Sequence, residues 1–162
     1  MIKTIIAITS SLLITNASNA QTNFSGTWSD PELEMISGIQ YSNAVPKQIK
    51  VTQSKDSLKL ESISAGNDGD VTNTTTIALN GKQSSRISKT SGRTIRTTAT
   101  WNDRGTTLTI LTLYSYANNP HKAEFTNTEV WELSDDGNLK IVKTSDADVT
   151  DDWTIKGIYK KG

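Results

Sequence analysis

Residues 93–115 read RTIRTTATW, NDRG, TTLTILTLYS, two runs rich in threonine, isoleucine and leucine on either side of Asn102-Asp103-Arg104-Gly105. Branched β-carbons are stiff at χ1 and suit a pleated ladder better than a helix. In the first run Ile95, Thr97, Ala99 and Trp101 alternate with Thr94, Arg96, Thr98 and Thr100, a period of two that puts one set on each face of a strand. The Asn-Asp-Arg-Gly insert supplies side-chain caps and a glycine for a chain reversal. So short a connection leaves the two strands one arrangement, as antiparallel neighbours.

The same rhythm extends in both directions. Strand-like runs lie near 24–29, 47–53, 57–64, 71–79, 82–89, 122–133, 138–144 and 150–160, with turn clusters at Asn67-Asp68-Gly69-Asp70, Asn80-Gly81 and Ser134-Asp135-Asp136-Gly137-Asn138. Asn80-Gly81 carries the strongest hairpin chemistry, since both residues tolerate the positive φ of a two-residue type I′ turn. Successive strands joined so closely predict an all-β, up-and-down antiparallel meander of about eight to ten strands. An open meander leaves two free edges and an uncovered face, and no helical segment is large enough to cover it, so closure into a barrel is expected. Residues 30–45 (DPELEMISGIQYSNAV) break the rhythm. Asp30-Pro31-Glu32-Leu33-Glu34 has the cap, the proline and the acidic first turn of a helix start, so a short helix or a lid is expected between the first two strands.

Ahead of these strands, Lys3, the apolar run from Ile5 to Thr15 and the small residues Ser18 and Ala20 follow the order of a secretory signal peptide, with cleavage expected after Ala20. The run is too short, and too broken by Thr9, Ser10 and Ser11, for a bilayer span of about 20 apolar residues. Residues 21–162 are then expected to form one domain, secreted or periplasmic, long enough to bury its own core. Cysteine is absent, so stability rests on packing and ladder bonds, and a thiol nucleophile is excluded. The chain has 17 basic and 17 acidic residues, a balance that gives no long-range attraction for nucleic acid. An outer-membrane barrel is excluded by residues 82–89, which set Lys82 and Arg86 on one face and Gln83 and Lys89 on the other, leaving no lipid face.

Phe24-Ser25-Gly26-Thr27-Trp28 resembles the opening strand of the lipocalin and fatty-acid-binding-protein barrels. Thr154-Ile155-Lys156-Gly157-Ile158-Tyr159-Lys160 is similar to the closing strand of the fatty-acid-binding proteins, and the hairpin from Trp131 to Leu139 resembles one in small exported bacterial lipocalin-like proteins. The resemblance implies that Trp28 plugs one end of the barrel and that a guest sits inside. This chain departs from the pattern at Gly157, where fatty-acid-binding proteins carry the arginine that grips a carboxylate. It also offers only Lys156, Lys160 and Lys161 where lipocalins lay an arginine over the first tryptophan. A likeness at fold level does not name the guest.

Strand parity supplies the candidate ligand-binding residues. One face carries Asn73, Thr75 and Ile77, a second Ile95 and Trp101, a third Phe125, Asn127, Glu129 and Trp131. Apolar faces with polar positions imply internal water or a polar group on a guest, since burying such groups dry costs about 1–3 kcal/mol each. Because Gly157 stands where an arginine would hold a carboxylate and Glu129 would repel one, neutral or cationic amphiphiles are expected to bind better than fatty acids. Two functional readings follow. One is a carrier of a small amphipathic or apolar molecule. The other is a protein-binding module, for instance an inhibitor of an exported enzyme, acting through its loops with a filled barrel. No nucleophile elbow, phosphate loop or zinc motif is present, so no enzymatic activity and no cofactor are expected. Asp146, Asp148, Asp151 and Asp152 lack the glycine and distal glutamate of a calcium loop, and His121 alone cannot build a zinc site, so no metal is expected.

Overall fold

Ten strands form a single sheet in the computed structural model, which describes residues 20–39, 41, 44–148 and 150–162. They are β1 (Gly26–Ser37), β2 (Gln48–Gln53), β3 (Ser57–Gly66), β4 (Gly69–Ala78), β5 (Ser84–Ile87), β6 (Thr94–Trp101), β7 (Leu108–Ser115), β8 (Phe125–Leu133), β9 (Leu139–Ala147) and β10 (Trp153–Lys161). Their spatial order is β4-β3-β2-β1-β10-β9-β8-β7-β6-β5, and every ladder is antiparallel. Pairing of β1 with β10 curls the meander into a nearly closed barrel, an architecture compatible with the lipocalin-like fold. The leader expected at residues 1–20 lies, apart from Ala20, outside the described residues.

Two expectations need correction. No ladder joins β4 to β5, so the barrel keeps a seam and Asn80-Gly81 is not a hairpin turn. Gly81 does take positive φ (73°), but the Asn80 Oδ1 accepts the Lys82 N–H at 3.0 Å, and the Leu79 N–H bonds the Asp56 carbonyl at 2.9 Å. The reversal is local: it turns the chain without holding its two flanks in register. Nor is there a helix among the described residues. Asp30 and Pro31 lie within β1 as a bulge, between the pairs Ser29↔Lys160 and Glu32↔Ile158, where they face Tyr159 alone. A bulge tolerates proline's missing N–H, and aspartate tolerates the left-handed φ of 50° found at Asp30. Beyond it Glu32 and Glu34 form ion pairs on the outer face, with Lys160 at 3.0 Å and with Lys156.

One end of the barrel is plugged. Trp28 is 1% exposed, and its indole N–H donates to the Phe24 carbonyl at 2.9 Å. Phe24 stacks on Trp101 at 5.7 Å and meets Trp131 edge-on at 5.9 Å. Leu58, Leu108 and Leu139, all fully buried, complete the plug. The leading segment is tied down by Gln53, whose Oε1 accepts the Phe24 N–H and whose Nε2 donates to the Thr22 carbonyl, both at 2.9 Å. The cation over Trp28 comes from Lys161, whose Nζ lies 5.6 Å from the ring centroid.

Toward the other end, Tyr41, Ala44, Val45 and Pro46 border the interior space. Gly38 ends β1 at φ 80°, where a β-carbon would collide with the Asp152 carbonyl. Ala44 and Val45 then pack on Met35, Trp153 and Ile155. Tyr159 pins the segment from inside the barrel, donating its hydroxyl to the Pro46 carbonyl at 2.9 Å. On the outer wall, the exposed Lys59 pairs with Glu61 at 2.7 Å, and no described helix is long and apolar enough to cross a membrane.

Candidate functional site

Residues directly opposite in a ladder share a face, so the nine ladders define the interior. On β8 and β9 the pairs Trp131↔Ile141, Glu129↔Lys143, Asn127↔Ser145 and Phe125↔Ala147 all face inward. Above the aromatic plug this interior opens into a cavity of about 610 Å³. Its apolar wall includes Ile49, Leu60, Ile77, Ile95, Ile110 and Ile141. Its polar wall includes Ser62, Ser64, Asn73, Thr75, Thr97 and Thr112. A second cavity of about 440 Å³ lies beneath Ala44, and Lys143 borders both.

The candidate residues divide between these spaces. Asn73, Thr75, Ile77, Ile95, Glu129 and Trp131 line the larger cavity, whereas Phe125 and Asn127 line the smaller. Trp101 lines neither. It belongs to the plug, stacked on Phe24, and its indole N–H is buried with no partner among the described residues. Parity assigns a side chain to a face but not to a depth, and Trp101 sits at the plugged end of β6.

Charge inside the larger cavity is organised around Glu129. Its Oε2 accepts the Trp131 indole N–H at 3.0 Å, and its Oε1 lies 3.5 Å from the Lys143 Nζ. The carboxylate is therefore not free to repel a guest. Tyr159 and Tyr114 stand nearby, both with phenol pKa values raised above the ordinary range, first by burial and then by the Glu129 charge. Arg86 opposes that rise at Tyr114. It lies on edge strand β5 opposite Ile95, lines the cavity, and has no carboxylate within ion-pair distance among the described residues.

The tyrosines set an alkaline limit on stability. A phenol whose pKa is raised in the folded state stays protonated while the unfolded chain ionises above about pH 10. The unfolded state then binds fewer protons, and stability falls as pH rises by up to about 1.4 kcal/mol per unit for each such tyrosine. Urea melts between pH 8 and 11, with tyrosinate absorbance followed in parallel, should show stability falling from about pH 10 while the buried Tyr159 and Tyr114 resist ionisation until unfolding. A flat stability profile would show that Tyr159 and Tyr114 reach solvent.

Lys143, Tyr114, Tyr159 and Arg86 are the interior groups that strand parity did not single out. For Lys143 a signal was present. The Ser134–Asn138 turn sets Leu133 opposite Leu139, and counting back along that hairpin sets Lys143 opposite Glu129. Two of the acidic residues considered for calcium, Asp148 and Asp152, make surface contacts. Asp148 pairs with Lys122 at 2.7 Å, and the Asp152 Oδ1 accepts the Ala147 N–H at 3.1 Å.

A scan against protein-family models finds no match for this chain, and a search of curated proteins finds no similar sequence.

Proposed function

We propose that this chain is an exported lipocalin-like carrier, secreted or periplasmic, that holds a small amphipathic or apolar molecule in the larger cavity. The observation that supports this reading is the cavity itself. Its volume of about 610 Å³ falls within the range of small-molecule sites, and its lining combines isoleucines with hydroxyls, one amide and the charged groups of Arg86, Glu129 and Lys143. Such a wall takes a hydrocarbon tail against Ile77 and Ile110, next to the plug, and leaves a head group among Thr75, Thr97 and Thr112, one inward position further along their strands. Because Glu129 and Lys143 neutralise each other and the remaining cation, Arg86, is solvent-exposed, an uncharged, hydrogen-bonding head is the best match.

The test is titration of the protein with decanol, decanoate and decylamine, followed by tryptophan fluorescence and by native mass spectrometry. Decanol is expected to bind one to one and more tightly than either charged homologue, with a Kd on the order of micromolar. Absence of binding by all three while the fold is intact would remove the carrier reading and leave protein recognition through the loops.

A further inference from the structure

The smaller cavity is not an extension of the barrel's apolar core. Two aromatic side chains face it, Phe125 from β8 and Trp153 from β10, and Tyr41 lies 6.1 Å from Trp153 at a tilt of 56°. Phe125 stacks on Tyr114 at 4.2 Å, nearly parallel, and the Arg93 guanidinium lies 5.7 Å from its centroid, so the ring is held in place.

Both charged groups on the cavity wall already have partners. Lys143 lies 3.5 Å from Glu129, and Glu124 is gripped by Arg93 through two bonds of 2.6 and 2.8 Å. A guest with a net charge would find no free counter-charge here, and would lose its hydration on entering. What the wall does leave open is a hydrogen-bond acceptor: the Asn127 amide lies beside the Tyr114 phenol, but its Oδ1 is buried without a hydrogen-bond partner among the described residues. The torsion that carries this amide is soft, so the oxygen can turn to meet a donor on a guest.

We propose that this smaller chamber is a second binding site, for a neutral planar aromatic bearing a hydrogen-bond donor, of the indole or phenol class. The ring lies between Phe125 and Trp153, and its N–H or O–H reaches Asn127. The site is independent of the guest in the larger cavity, from which Lys143 separates it.

Calorimetric titration of the full chain with indole, benzoate and benzylamine tests this. Indole is expected to bind one to one, with benzoate and benzylamine at least about tenfold weaker, the discrimination typical of an uncompensated charge in a desolvated site. Ser145→Leu fills the chamber and should weaken indole at least about tenfold while decanol binding persists. Should that variant fail to fold, Ala147→Leu fills the same space from the next inward position of β9. Native mass spectrometry of unmodified protein with both probes should show a ternary complex. The proposal is overturned if indole does not bind the folded protein, if decanol displaces it one for one, or if the filling variants leave it unaffected. Indole binding without decanol binding would sink the carrier reading alone.

Discussion

Replacing Trp28 by alanine is expected to lower the unfolding free energy by about 3–5 kcal/mol, the cost of deleting a fully buried large aromatic. The indole is 1% exposed, in the same buried cluster as Phe24, Trp131 and Tyr159, so the space it leaves cannot fill by a shift of surface groups. Its N–H also satisfies the Phe24 carbonyl, and Phe24 in turn supports Trp101 and Trp131. Removal would loosen the whole plugged end. Trp28→Phe separates the two contributions: it keeps most of the apolar volume and leaves one carbonyl unpaired, and should cost roughly 1–3 kcal/mol. Urea melts of the three proteins measure both values. A loss below about 1 kcal/mol for the alanine variant would show that Trp28 does not plug the barrel.

Much of this fold is legible because the chain repeats one device. Threonine and isoleucine alternate with a period of two between short polar turns, and each of the ten expected strands is present. Inward and outward sets were readable for the same reason, as with Asn73, Thr75 and Ile77 on β4 or Glu129 and Trp131 on β8. The failures are places where local chemistry has two outcomes. Asp30-Pro31-Glu32 fits a helix N-terminus and equally a bulge, and only pairing with β10 decides between them. Asn80-Gly81 specifies a reversal, but whether β4 and β5 then pair depends on barrel circumference, a property of all the strands together. Depth along the axis is likewise collective. Trp101 and Ile95 share a face of β6, yet one packs in the plug and the other lines the cavity. Charge compensation required the β8–β9 register, which is why Glu129 looked free when read within its own strand.

That register leads to the second large effect, a reversal of head-group preference. In the unmodified protein Glu129 and Lys143 present no net charge to a guest at the boundary of the two cavities. Glu129→Gln keeps an acceptor near the Trp131 N–H and leaves the Lys143 ammonium uncompensated. Lys143→Gln does the converse and leaves the carboxylate. Each exposes one charge in a partly desolvated cavity, where a guest of opposite sign recovers interaction that water supplies poorly. Decanoate should therefore gain about tenfold in affinity on Glu129→Gln, and decylamine about tenfold on Lys143→Gln, which is about 1.4 kcal/mol each. Taken as the ratio of decanoate to decylamine binding, the two variants should differ by about a hundredfold or more. The shift should shrink as ionic strength rises wherever the cavity admits salt. Fluorescence titration of both variants with both ligands gives the ratio directly, and decanol serves as the uncharged reference. If the ratio moves by less than about threefold between the variants while decanol still binds, the head group does not sit beside this pair and must lie elsewhere along the hydroxyl-bearing wall.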